Sequence, residues 1–175
     1  MVLDVYLLLN FAALKKLPII FFCENNFYSV QSPLQTRQPK RDIVRWAEGH
    51  DVKAIAVDGT NVLDVYKTTR KAVEDIKNGS GPWFIEAKVY RFRAHGGAGD
   101  DSKTGYRDIK EREAWEKQCP VNSYSSFLMR NNILGNQQRL DMERKIKIEI
   151  KNAFDFALNS PEPQKTDLYQ FVYAD

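Results

Sequence analysis

The stretch "VKAIAVDGTNVLDVYKTTRKAVEDIKNGSGPWFIEAKVYRF" (52–92) reads as strand, helix, strand. Residues 52–59 form a short apolar run closed by a turn at Asp58 and Gly59. Asn61 then opens a helix with Asp64 three residues on as its capping-box partner. Apolar residues recur at helical spacing until Gly79 stops it. "GPWFIEAKVYRF" (81–92) is the next strand.

Upstream, residues 4–16 are good helix formers without Gly or Pro, and Pro18 ends them. "LPIIFFCENNFYS" (17–29) then carries a short apolar run, Ile19 to Cys23, suited to a fully buried strand. A polar loop from Glu24 to Pro39 follows, with a short helix starting near Arg41. Strands alternating with helices through short links predict a parallel sheet in an α/β fold with right-handed crossovers.

Downstream the character changes. A Gly-rich loop, "RAHGGAGDDSKTGYR" (93–107), leads to "DIKEREAWEKQ", a segment around 121–134 and a long helix over 136–160. Ile146, Ile150, Ala153, Phe154 and Ala157 share one stripe of that helix. Two readings stand: a helix packed on its own sheet, or one partly committed to a partner subunit.

The chain has 175 residues, the size of one ordinary domain, and its 43% hydrophobic and 28% charged content is that of a folded protein. A net charge of +3, with basic residues scattered among acids and apolar positions, argues against a nucleic-acid surface. The apolar amino terminus breaks at Asn10 and again at Lys15 and Lys16, short of the roughly 20 residues a membrane span needs. Asp4 stands where a signal peptide is positive, so no membrane partner is expected. Cys23 and Cys119 lie far apart and outside metal-like spacing, which reads as reduced thiols in a reducing compartment.

Two places carry candidate chemistry. Asn25 and Asn26 end the first strand, where asparagine either makes a turn or supplies amide oxygens to a hard cation. His95 sits on the glycine-rich loop, either as a solvated surface residue or beside a ligand that glycines let backbone approach. His50, in "AEGHD", reads as structural. No Gly-x-Gly-x-x-Gly opens a helix, against a Rossmann-type nucleotide binder.

"LNFAALKKLPIIFFCENNFYS" (9–29), "VDGTNVLDVYKTTRKAVEDIKNGSGPWFIEAKVYRFRAH" (57–95), "GYRD" (105–108) and "PEP" (161–163) occur in that order. In this they resemble the alpha subunit of thiamine-diphosphate-dependent 2-oxo acid dehydrogenases, the decarboxylating component of the pyruvate, branched-chain oxo acid and acetoin dehydrogenase complexes. The resemblance implies two cofactors, thiamine diphosphate and magnesium. It makes Asn26, in an Asn-x-Tyr pattern, a metal ligand, with the backbone carbonyl of Tyr28 as another. It sets His95 beside the diphosphate and the reacting centre, on a loop that orders when cofactor binds. Arg93 stands where many relatives have a further histidine, and no serine follows His95.

In that family the cofactor motif opens with Gly-Asp-Gly, and this chain has none; only "MVLDVYLL" precedes Leu9. The expectation is therefore a carboxyl-terminal piece of an alpha subunit. Residues 1–107 form an incomplete thiamine-diphosphate-binding domain, a parallel sheet with flanking helices, and 108–175 form a helical carboxyl-terminal region. The resemblance implies oxidative decarboxylation of a 2-oxo acid, or acetoin cleavage, with acyl transfer to a lipoyl group. Implied partners are a beta subunit, in an alpha2-beta2 heterotetramer, and a lipoyl-bearing acyltransferase component. The implied compartment is the cytoplasm of a prokaryote or the mitochondrial matrix of a eukaryote. Alone, the chain is expected to be inactive. The alternative is a non-catalytic remnant acting as an assembly module.

Overall fold

A computed structural model describes residues 2–39, 42–97, 99–101, 104–170 and 172–173. The chain divides into two compact units, Met1–Ser126 and Phe127–Asp175.

The first unit opens with helix α1 (Val2–Leu14). Its end is a local event: Lys16 takes a left-handed φ of 49°, and the Leu17 N–H donates back to the Ala12 carbonyl at 2.9 Å. Strand β1 (Ile20–Asn25) follows, then a small antiparallel pair, β2 (Tyr28–Ser29) and β3 (Ser32–Pro33). Next come a one-turn helix α2 (Leu34–Arg37), helix α3 (Val44–Glu48), strand β4 (Lys53–Asp58), helix α4 (Val62–Lys77) and strand β5 (Trp83–Lys88). Helix α5 (Ile109–Glu116) follows in this unit, and helix α6 (Pro120–Arg130) runs across the division between the two.

The sheet is parallel, in the order β1-β5-β4, with Asn25 and Asp58 both in register with Lys88. All three strands therefore end along one edge. Every residue of β5 from Trp83 to Ala87 is buried, as befits a central strand covered on both faces. Alternation sends Phe84 to a face packed by Leu9 of α1, Ala47 of α3 and Val52. Trp83 and Ile85 go to the other, against Ala72 of α4.

The parallel α/β reading of 52–92 holds, and so does its punctuation. Asn61 accepts from the Leu63 and Asp64 amides and donates to the Asp64 carboxylate at 2.8 Å, while Gly79 leaves α4 at a φ of 82°. Boundaries moved where tertiary pairing outweighs hydropathy. β1 runs on through Glu24 and Asn25 because β5 continues the ladder beside it to Lys88. The loop from Glu24 to Pro39 contains β2, β3 and α2. Arg41, the expected start of α3, lies outside the described residues, and α3 begins at Val44.

In the second unit helix α7 (Asn136–Asn159) is capped by its own first turn, the Gly135 N–H donating to Gln138 Oε1 at 2.8 Å. No residue of α7 is buried, and the predicted stripe of Ile146, Ile150 and Phe154 is exposed. Among the described residues no helix is long and apolar enough to cross a membrane.

Candidate functional site

β1 delivers Asn25 and Asn26 to the carboxyl edge of the sheet, the edge at which parallel α/β folds bind ligands. The two amides build consecutive side-chain turns. Asn25 Oδ1 accepts from the Phe27 N–H, and Asn26 Oδ1 from the Tyr28 N–H, both at 3.0 Å. Between them Phe27 is held at a φ of 65°, a region that costs a bulky residue about 1–2 kcal/mol. Its carbonyl accepts the Leu34 N–H at 2.7 Å, which ties the turn to α2.

Asn25 is buried and is anchored to the central strand twice. Its Nδ2 donates to Glu86 Oε1 at 2.7 Å, and its carbonyl accepts the Val89 N–H at 3.0 Å. A cleft of about 480 Å³ runs along β1 to this turn, with Tyr6, Leu9, Phe22, Trp46, Asn26 and Tyr28 among its walls.

β5 leaves the same edge and becomes the loop that carries His95. His95 itself is exposed, its Nδ1 3.4 Å from an Arg91 guanidinium nitrogen. Arg91 joins the two segments: Nη2 donates to the Val30 carbonyl at 2.9 Å and to the Tyr106 hydroxyl at 2.8 Å. Asn26, Tyr28 and His95 thus lie on loops from one edge, linked through Arg91.

The loop is held from inside. Arg107, 5% exposed, donates to the Arg91 carbonyl and to Asp101, and lies over the rings of Tyr28, Tyr90 and Tyr106. The Tyr106 hydroxyl donates to Asp101 as well. Burial alone would raise the Asp101 pKa, but Tyr106 and Arg107 outweigh it and hold the carboxyl below its ordinary range.

Helix α5 closes over both segments. The Tyr28 hydroxyl donates to Glu111 at 2.6 Å, and Trp115 lies 5.9 Å from Phe27 and stacks on Tyr90 at 5.7 Å. Burial and then Glu111 push the Tyr28 phenol above the usual range.

These supporting residues escaped the sequence reading. "GYRD" gives no sign that Arg107 is buried, and Glu86 looks like the polar member of an ordinary strand. The one available signal was an arginine immediately before Asp108, the N-cap of α5, at the end of a glycine-rich loop.

The donor set can be tested against magnesium. An amide oxygen has two lone pairs, so Asn26 Oδ1 can keep the Tyr28 N–H and still face a cation. That oxygen and a backbone carbonyl are hard, neutral ligands of the kind magnesium takes alongside carboxylates, phosphates and water. They fit as part of a set. Among the described residues no group of three or more His, Cys, Asp or Glu side chains could hold a metal by itself.

A three-stranded parallel sheet with an asparagine turn and a glycine-rich loop at one edge defines an α/β protein with its candidate site at the strand ends. Comparison with known proteins makes this specific. The chain belongs to the dehydrogenase E1 component family, whose model matches residues 4–166.

It is 36% identical over 167 residues to the pyruvate dehydrogenase E1 component subunit alpha of Porphyra purpurea, covering 95% of this chain and 48% of that protein. Identity is 33% over 165 residues to the 2-oxoisovalerate dehydrogenase subunit alpha of Bacillus subtilis (strain 168), covering 94% and 49%. It is 33% over 172 residues to the pyruvate dehydrogenase E1 component subunit alpha of Staphylococcus aureus (strain Mu50), covering 98% and 46%. The chain spans about half the length of these relatives.

Proposed function

We propose that this chain supplies the metal-holding turn and the diphosphate-facing loop of a 2-oxo acid dehydrogenase alpha subunit. The reaction would be oxidative decarboxylation of a 2-oxo acid, with the acyl unit passed to a lipoyl group. Family membership and the names of the relatives support the reaction class. The observation that carries the site is the convergence of the Asn26 turn and the His95 loop at one sheet edge, bridged by Arg91.

In this reading Asn26 Oδ1 and the Tyr28 carbonyl would hold magnesium, which would supply the positive charge that anchors the diphosphate. Thiamine diphosphate, when bound, supplies the nucleophilic carbon and the electron sink for decarboxylation. His95 would donate to the diphosphate from the loop, and Arg91, 3.4 Å from Nδ1, sets where that ring stands. Asp101, Tyr106 and Arg107 keep the loop closed. Two neutral oxygens do not complete an octahedral shell, so further ligands come from the diphosphate, from water and from groups this stretch does not supply. A beta subunit would complete the site in an alpha2-beta2 assembly, which a lipoyl-bearing acyltransferase component would then serve.

Titration calorimetry with thiamine diphosphate and magnesium tests the reading, on the chain alone and together with an alpha-subunit stretch that bears the Gly-Asp-Gly motif and a beta subunit. Binding that requires these partners supports it. Micromolar binding by the chain alone shows that the site needs nothing further, and no binding in either case removes the assignment.

A second reading, an interaction module without catalysis, draws on the exposed apolar residues of α1 and α7, among them Leu8, Phe11, Ile146 and Phe154. Partner binding without any cofactor binding would favour it.

A further inference from the structure

Glu86 occupies an unusual place for a carboxylate. It lies near the end of the central strand, 2% exposed, on the face it shares with Phe84. Its neighbours in register are Cys23 on β1 and Ala56 on β4, two small residues that leave room across the strands. The side chain reaches beyond Cys23 to Asn25, two residues closer to the carboxyl edge, and accepts from Nδ2 at 2.7 Å.

We propose that Glu86 is a positioning residue for the oxygen pair of Asn26 and Tyr28, acting through Asn25. This rests on the reading that the turn holds a divalent cation. Glu86 Oε1 accepts from Asn25 Nδ2, and an amide oxygen has no proton to offer it, so this bond selects the Asn25 orientation that turns its NH₂ inward. That orientation leaves Oδ1 aimed at the Phe27 N–H, which it binds at 3.0 Å.

Phe27 is the strained residue of the turn, left-handed without being glycine. If Asn25 flips or swings away, Phe27 loses the hydrogen bond on its N–H, keeps the one on its carbonyl, and relaxes toward an ordinary backbone conformation. Asn26 precedes Phe27 and Tyr28 follows it, so a change of φ there rotates one candidate oxygen relative to the other. Through Asn25 the carboxylate thereby fixes the relation between two candidate ligand atoms.

The test uses the purified, metal-free chain and amide hydrogen exchange read by NMR on Glu86→Ala, Glu86→Gln, Asn25→Ala and the Asn25→Ala/Glu86→Ala double variant. Glu86→Ala is expected to speed exchange at Phe27 by about tenfold, the loss of one hydrogen bond, with Ile55 in β4 unchanged. Asn25→Ala should do the same and the double variant no more, since both act on one link. Glu86→Gln, which keeps an acceptor of the same shape, should stay within about threefold.

Mn²⁺ added as a probe gives a second readout that general loosening would not copy. The concentration that half-broadens the Asn26 to Tyr28 signals should rise about tenfold in Glu86→Ala and stay near its original value in Glu86→Gln. Unchanged Phe27 exchange in Glu86→Ala, additive effects in the double variant, equal acceleration at Ile55, or an unshifted Mn²⁺ midpoint each overturns the proposal. If Glu86→Ala does not fold, Glu86→Met fills the same volume without the acceptor and is read in its place. Where the unaltered chain alone shows no Mn²⁺ broadening, as a shell of two neutral oxygens allows, the exchange cycle by itself decides the link from Glu86 to Phe27.

Discussion

Tyr28 and Glu111 are 83 residues apart in the chain, yet the phenol donates to the carboxylate at 2.6 Å. This bond fastens α5 over the turn whose backbone carries a candidate metal oxygen. Tyr28→Phe removes a hydrogen bond to a charged acceptor and is expected to lower stability by about 1.5–3 kcal/mol in thermal or urea unfolding. The same contact predicts a pH dependence. Because the folded-state pKa is raised, the folded chain keeps its proton where the unfolded chain has lost it. The contribution is full below about pH 10 and falls as pH rises beyond it. Tyr28→Phe should flatten that alkaline decline.

Asp101→Asn removes the carboxylate opposite a guanidinium that is almost fully buried. Leaving Arg107 without that charge is expected to cost roughly 3 kcal/mol, about a hundredfold in local opening. Faster exchange at the Ala94 and Thr104 amides, which close the loop onto Gly99 and Asp101, is the measurement. With its pKa held low, Asp101 stabilises the loop above about pH 4 and loses that effect as pH falls through its folded value. Proteolysis within 93–107 should therefore rise on acidification in the unaltered chain and vary less with pH in Asp101→Asn.

His95→Ala should separate function from folding. The side chain is exposed, so the melting temperature of the chain should shift little, within about 0.5 kcal/mol of stability. In an assembled dehydrogenase the same change removes one charge-assisted contact, roughly 10- to 150-fold in cofactor affinity or turnover. Unchanged affinity and turnover there would remove His95 from the site.

Gly59 follows β4 at the same edge, and its N–H donates to the Lys88 carbonyl at 2.9 Å. A Cβ added there would meet Val89 Cγ1 and come within 2.7 Å of the Lys88 carbonyl oxygen, which is backbone and cannot turn aside. Gly59→Ala is expected to destabilise the sheet by about 1–3 kcal/mol, read by denaturant unfolding.

The central strand and α4 were legible because their signals are local: a continuous apolar run, a helical period, an asparagine at one end and a glycine at the other. The Asn26 turn was legible only in part. The residue type that makes a side-chain turn is also one that binds a hard cation, and here Asn26 makes the turn with its oxygen still able to face an ion. Asp101 and Arg107 lie on an aperiodic loop, so nothing local distinguishes their pairing from two solvated charges. Glu86 was hidden by its strand, where it passes for the outward member of an alternation; burial appears only once β1 and β4 flank it and Asn25 comes within reach.

Among the described residues β1 pairs on one side only, and its outer edge carries Phe22 at 45% exposure with Glu24 as its sole charge. The opposite outer strand, β4, is guarded by Lys53 and Asp58 at its two ends. Natural proteins protect open edges with charge, and β1 has little. Concentrated alone, the chain has a template for strand addition along β1, so its colloidal behaviour becomes a report on what covers that edge. Any cover that suppresses self-association in light scattering does so by satisfying backbone donors and acceptors, whatever its effect on the chemistry at the strand ends.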